Sequence, residues 1–221
     1  MTAAGATELS PNPVSSTQFV YGAWLRGRVG NRTSIESRPV RHPSDNFPDV
    51  SVALCTTDSP VGTLLAAATA QAVVALEFTD PATLAVRRDN MLRRYAAARI
   101  EPAQPLLVRL RCQLAEYFAG QRRDFELPLD YPGTAFQQSV WHLLLQIPYG
   151  TTRSYRDMAE RLGDLKALRA VGGANGANPI AIVIPCHRVI NASGALGGYG
   201  GGRWRKQLLL DLEAGQQRLC L

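Results

Sequence analysis

The chain has 221 residues, 46% of them hydrophobic and 19% charged, with four cysteines and a formal charge of +6. That length suits one large domain or two small ones with a real core. It contains no apolar run of the ~18 residues that a membrane span needs, and Cys55, Cys112, Cys186 and Cys220 form no CxxC pair, so a membrane protein, a disulfide framework and a zinc site are all unexpected.

The N-terminus, MTAAGATELSPNPVSS, lacks a basic segment followed by an apolar one, so a secretory signal is not expected. A reducing, intracellular compartment follows as the expectation, with Cys186 a free thiol. Lys166 and Lys206 are the only lysines, so the positive charge is nearly all arginine. A basic balance suits an acidic polymer as partner and also suits an ordinary soluble protein.

Residues 1–48 carry five prolines, many Ser and Thr, and little periodicity, which predicts a disordered extension. Its stretch FVYGAWLRGRV, 19–29, reads as a short docking element or as a contact to nucleic acid. From 49 to 80 the pattern alternates and predicts a small antiparallel sheet of two or three strands. A helix is expected over 81–99, with its arginines on a solvated face, and a second over 105–120, ending at Gly120, with Cys112 as a small core residue. FELPLDYPG, 125–133, predicts a strand and turn.

TAFQQSVWHLLLQIPYG then predicts an amphipathic helix that places Phe136, Val140, Leu143, Leu144 and Ile147 on one face. SYRDMAERLG, 154–163, reads as a short helix capped by Ser154, and 164–178 as another. Their junction at Gly163 makes a helix-turn-helix pattern. An extended apolar stretch, NPIAIVIPCHRVI, follows, then the loop SGALGGYGGG and a last helix over 203–215. The fold expected is α+β. A small N-terminal α/β domain with an antiparallel sheet occupies 49–133, and a mostly helical, winged helix-turn-helix-like domain occupies 134–221.

Within IVIPCHRVI, residues 182–190, a cysteine and a histidine are adjacent. A thiol becomes a nucleophile as thiolate, which needs a base or a positive field. Adjacent side chains on a strand point to opposite faces. His187 would therefore act on Cys186 only where the strand turns, or through a water.

These motifs, in this order, resemble the O6-alkylguanine-DNA alkyltransferases, also called methylated-DNA–protein-cysteine methyltransferases. The matching text is IPYGTTRSY at 147–155, RAVGGANGANP at 169–179, IVIPCHRVI, GALGGYGGG at 194–202, and KQLLLDLE at 206–213. The resemblance is close over 134–215, looser over 50–130, and absent before that.

The resemblance implies repair of O6-alkylguanine in DNA by irreversible, once-only transfer of the alkyl group to Cys186, with no cofactor and no metal. It implies that His187 is the base, acting through a water, and that Glu213 orients it. Asn178 matches a hinge asparagine. Tyr155 matches the tyrosine that presses on the backbone phosphate and protonates the departing guanine. Arg169 matches an arginine that inserts into the base stack, while Ala170 and Gly173 let their helix approach the minor groove. Arg153 is a further expected DNA contact. Pro185, Val189, Tyr199 and Gly200 are expected to shape the substrate pocket. Double-stranded DNA is the implied partner, no membrane is implied, and the protein is expected to be a monomer, with cooperative assembly on DNA left open. Its place would be the cytoplasm, associated with the nucleoid, or a nucleus.

The chain departs from some relatives at Gly200, where they carry serine, and at Gly176, where they carry a basic residue. The N-terminal zinc ligands of others have no match. Three other readings fit the sequence less well. Lesion-recognition proteins of this type lack the cysteine present here. A transcription factor would need a recognition helix richer in side chains than AVGGANGA. A cysteine hydrolase would need a separate histidine, and His42 and His142 have no supporting context.

Overall fold

β1 (Val52–Thr57) and β2 (Leu64–Ala68) form an antiparallel hairpin, and β3 (Val73–Phe78) extends it antiparallel to β2. In this computed structural model, residues 51–95 and 98–215 are described, all within one compact unit spanning 39–221. The extension expected over 1–48, its aromatic stretch and Cys220 lie outside them. The strands are apolar on both faces, as in a sheet covered on both sides. A fourth strand, β4 (Ala98–Ile100), pairs parallel with β1, giving the order β3-β2-β1-β4. It corrects two expectations. The sheet is wider than two or three strands, and the helix expected over 81–99 ends early, as α1 (Leu84–Arg94). Arg87 and Arg94 of that helix meet Glu77 of β3 at 3.6 and 3.4 Å.

α2 (Pro105–Phe118) starts at a Gln104 cap whose side chain accepts from the Leu107 amide, with proline at its first position. It buries Leu107, Leu110, Leu114 and Tyr117. Cys112 lies on its exposed side, contrary to expectation, because the helical period turns that position away from the core.

The free edge of β3 is covered twice. The segment expected to be a strand over 125–133 makes a single parallel bridge, Leu129 to Val73. Further along, Leu76 N donates to Pro179 O and Ala181 N donates to Leu76 O, each at 2.9 Å. Covering an edge removes a row of unpaired backbone groups. Here it also pins the start of the stretch that carries Cys186 to the sheet.

α3 (Ala135–Leu145) opens with a capping box between Thr134 and Gln137. It buries Val140, Trp141 and Leu144, whereas Phe136 of the expected apolar face is 36% exposed. The Trp141 indole donates to Ala174 O at 2.9 Å, which fixes α3 against α5 (Leu168–Gly176). A short strand, β5 (Arg153–Ser154), leads into α4 (Tyr155–Arg161), and Ser154 caps it in a second box with Asp157. Gly163 follows with φ +78°, a left-handed turn that glycine adopts without a Cβ penalty. A single 3₁₀ turn, Leu165–Ala167, precedes α5, so the helix expected over 164–178 is shorter and starts later.

The stretch expected to be extended is not a strand. Residues 180–189 are all buried, and they turn on themselves. Val183 N donates to Ala181 O at 2.8 Å around Ile182, whose φ is +69°. Cys186 N donates to Ile184 O at 2.8 Å around Pro185. These are three-residue turns, the first of the strained kind. A 3₁₀ turn, Cys186–Arg188, comes next, and only Val189–Ile190 is a strand, β6, parallel to β5. Local preference for extended backbone loses here to the burial of five aliphatic side chains in one compact knot. The chain ends its described part in α6 (Arg203–Glu213). No helix among the described residues is long and apolar enough to cross a membrane.

Candidate active site

Cys186 opens the 3₁₀ turn and is only 6% exposed. Its Sγ accepts from Asn178 Nδ2 at 3.0 Å. The same amide group donates to Ile184 O at 2.7 Å, and its carbonyl oxygen accepts from Ile180 N at 3.0 Å. Asn178, just beyond the end of α5, thus holds the two ends of the knot together and touches the thiol. Burial pushes the thiol up, while the Asn178 hydrogen bond and the Lys206 charge pull it down. Burial prevails, so the group rests as a thiol and needs a base to become a nucleophile.

His187 is fully buried, and burial lowers its pKa. It is therefore neutral near pH 7. Its Nε2 lies 2.8 Å from Glu213 Oε1. Glu213, at the end of α6, is held down to about 2 by His187 and Arg188 in spite of its burial. An ionised carboxylate can only accept, so Nε2 carries the proton and Nδ1 is left as a lone pair. Nδ1 is buried and has no partner among the described residues. No direct hydrogen bond joins it to Cys186.

Glu213 is the most heavily bonded side chain of the site. Arg188 forks onto both its oxygens at 2.9 Å, Gly150 N donates at 3.1 Å, and Tyr117 Oη donates at 2.7 Å. Arg188 itself is buried and also donates to Ile147 O at 2.6 Å.

Lys206, on α6, is also fully buried. Its ammonium donates to the carbonyls of Val189 and Leu196 and lies 5.9 Å from the Tyr155 ring centroid. Desolvation brings it down to about 8, opposed by the charge Cys186 carries when ionised. These bonds tie the glycine-rich loop at Leu196 to β6 at Val189. Arg205 ties the same loop to the sheet, donating to Gly201 O at 2.7 Å and to Val61 O at 2.6 Å.

A cavity of about 660 Å³ reaches Cys186 from the surface. Its walls include Tyr155, Arg169, Asn175, Tyr199 and Gly200. Such a volume suits a small-molecule-sized ligand. Tyr199 packs edge-on against Phe78 at 5.7 Å, and its buried hydroxyl interacts with the Cys186 sulfur. Burial raises the Tyr155 and Tyr199 phenols, so both remain protonated donors. Around the mouth, Arg169, Ala170 and Gly173 lie exposed on α5, and Arg153 is half-buried on β5.

Two of the expected pocket residues are placed elsewhere. Val189 is fully buried and offers its carbonyl to Lys206, and Pro185 lines a different cleft, beside Arg188. Neither lines the 660 Å³ cavity, because the 3₁₀ turn directs them away from it. The sequence reading missed four residues of the site. Asn175 donates to Cys186 O at 3.3 Å, and Arg188, Tyr117 and Lys206 make the contacts described above. Arg188 sits within the quoted motif and could have been flagged by its neighbours. Tyr117 carried no signal at all.

The chain has counterparts among known proteins. Residues 54–131 match the family model described as the 6-O-methylguanine DNA methyltransferase ribonuclease-like domain, and 135–215 match its DNA binding domain. A methylated-DNA–protein-cysteine methyltransferase of Mycobacterium bovis is 61% identical over 101 residues, which span 46% of this chain and 61% of that protein. One from Mycobacterium leprae is 46% identical over 161 residues, 72% of this chain and 90% of its own length. The crystal structure of Mycobacterium tuberculosis OGT in complex with DNA aligns with a TM-score of 0.64 at 43% identity, covering 76% of this chain and 94% of that one. The chain belongs to the 6-O-methylguanine DNA methyltransferase family.

Proposed function

We propose that this protein repairs O6-alkylguanine in double-stranded DNA by moving the alkyl group to Cys186. The observation that carries the reading is the pairing of a protonated, buried thiol with a neutral histidine. That histidine's Nδ1 is free while its Nε2–H is fixed on Glu213.

The steps follow from the residues. The damaged base leaves the stack, at a cost of a few kcal/mol, and enters the cavity with its O6 substituent towards Cys186. The Sγ proton passes through a water to His187 Nδ1, and Glu213 stabilises the imidazolium that forms. Sγ then attacks the alkyl carbon. The carbon–sulfur bond forms as the carbon–O6 bond breaks, and the electron pair goes to the purine. A proton from Tyr155 neutralises the departing guanine. The product is a thioether with no group nearby able to reverse it, so each molecule acts once. Nothing in the sequence of steps calls for a cofactor or a metal.

α5 presents the DNA-facing surface. Small residues at Ala170 and Gly173 allow close approach to the minor groove, and Arg169 fills the place of the extruded base. Arg153 contributes phosphate contact, which is indifferent to sequence. The active species is a monomer working where the DNA is, with 49–133 and 134–221 as its two domains. Tyr199 and Gly200 wall the pocket, the latter offering only a backbone donor.

The test mixes the protein with duplex DNA carrying radiolabelled O6-methylguanine, beside Cys186→Ala. Label reaching the native protein at no more than one methyl per chain, and not reaching the variant, is the expected result. Binding without transfer would replace this reading with lesion recognition alone.

A further inference from the structure

The relay proposed above uses Cys186, His187 and Glu213, and leaves the buried hydroxyl of Tyr117 unexplained. Tyr117 belongs to α2, in the segment matched by the ribonuclease-like domain. It is fully buried, and its Oη donates to Glu213 Oε1 at 2.7 Å, across 96 residues of sequence. That oxygen is the same one that faces His187 Nε2 at 2.8 Å. The Tyr117 ring packs on Phe118, Phe125 and Tyr149, with centroids 5.3, 5.4 and 6.0 Å away. A phenylalanine would serve those contacts equally well. Only the carboxylate needs the hydroxyl.

We propose that Tyr117 is a positioning residue of the relay, fixing the Glu213 oxygen that faces His187 and restraining its basicity so that His187 keeps its free lone pair.

This role rests on the relay reading, and part of it is mechanical. Arg188 also grips Glu213, but it lies in the same 3₁₀ turn as His187 and would move with it. Tyr117 enters from an independent element, α2, whose buried face carries it beside Leu107, Leu110 and Leu114 in the core. It refers the carboxylate to a frame that the active-site turn does not control. The role of Tyr117 is also electrostatic. Oε1 receives His187, Arg188 and Tyr117, and Oε2 receives Arg188 and Gly150. Each donor draws on the charge that would otherwise hold a proton on the imidazole. Too basic a carboxylate would leave His187 protonated at rest and useless as a base. Burial and the Glu213 charge hold the Tyr117 phenol well above its usual range, so it donates throughout the working pH.

The other charged and titratable groups around the relay are few. Arg188 and Lys206 act on His187, Tyr149 lies beside Tyr117, and Arg123 sits 5.7 Å over the Tyr149 ring. Cys186, with Tyr155 and Tyr199 beside it, completes the set. None of them replaces a neutral donor on Oε1.

The experiment measures single-turnover methyl transfer by the full chain as a function of pH, with rates normalised to the titrated active fraction. In Tyr117→Phe the acid limb should move to higher pH by about one unit, an approximately tenfold slower transfer on that limb. With 3-fluorotyrosine at position 117, a stronger donor of nearly the same size, the limb should move the other way. A tyrosine that only packs would change the melting temperature and the active fraction while leaving both limbs in place, and that result overturns the proposal. If Tyr117→Phe does not fold, the fluorinated chain decides alone, because it keeps the hydroxyl and the packing. His187→Gln separates the two readings. Transfer retained in that variant overturns the relay and this proposal together. Transfer lost there, with unmoved limbs at position 117, overturns this proposal alone.

Discussion

Asn178 shows how much a single side chain can hold. Its amide joins the Cys186 thiol, the Ile184 carbonyl and the Ile180 amide, all within the buried knot. Asn178→Ala leaves the Ile180 amide without a partner and takes one of its two donors from the Ile184 carbonyl, a loss of about 1–3 kcal/mol for the orphaned group. It also removes a hydrogen bond that favours the thiolate, so Cys186 should alkylate more slowly with iodoacetamide near pH 7. Urea unfolding and peptide-mass mapping of the labelled cysteines measure the two effects. An unchanged unfolding midpoint would mean that the asparagine ties nothing. At this scale the sequence was most informative where chemistry is local. Cys186, His187 and Asn178 lie within nine positions of one another, inside a motif. Tyr117 and Glu213 meet only after folding, and a tyrosine in LAEYF looks like any core aromatic.

At the scale of the element, α5 carries the clearest test. Gly173 is exposed, and a Cβ added there meets nothing within 4 Å. Gly173→Ala should therefore stabilise the helix by about 0.5–1 kcal/mol, the usual gain over glycine in a helix. Gly173→Phe should fold as well but hold the helix away from DNA. Fluorescence anisotropy with a duplex should show the phenylalanine variant losing binding while its thermal midpoint stays near that of the native chain. Equal binding by both variants would place DNA on another face. Gly201 is a contrasting case, since its added Cβ would come within 2.4 Å of the Phe78 ring. The two glycines are indistinguishable in a motif, and only packing separates a functional face from a structural contact. The start of α4 was legible because Ser154 is a cap whose chemistry is local. The Cys186 stretch was misread as extended because its β-branched residues fit a strand, and only the surrounding core makes them turn.

For the whole molecule, Glu213 is a joint of the fold as well as a member of the proposed relay. It collects α2 through Tyr117, the turn before β5 through Gly150, the active-site turn through His187 and Arg188, and its own helix α6. The α+β class was readable from the order of strand-like and helix-like segments, but this convergence was not, since nothing in sequence distance links the four. It has a consequence for acid stability. The Glu213 carboxyl falls from an ordinary 4.5 to about 2 in the folded chain. A group depressed by folding stabilises above its unfolded pKa and loses that contribution as pH falls through the folded one. The difference amounts to about 3 kcal/mol, lost between about pH 4.5 and 2. His187 is also lowered by burial, so its share begins to be lost earlier, as pH drops below about 6.5. Asp80 and Asp157 are held down by local hydrogen bonds and add to the same slope. A difference measurement removes these shared contributions. Glu213→Gln should be less stable than the native chain at pH 7 by about 3–5 kcal/mol, because Arg188 is left buried without its carboxylate. Below pH 4.5 the native curve should descend towards that of the variant, since protonated Glu213 and glutamine are near equivalents. Urea unfolding at a series of pH values gives both curves. Parallel curves down to pH 2 would show that the carboxylate adds no acid-sensitive stability, and the joint would then be held by packing alone.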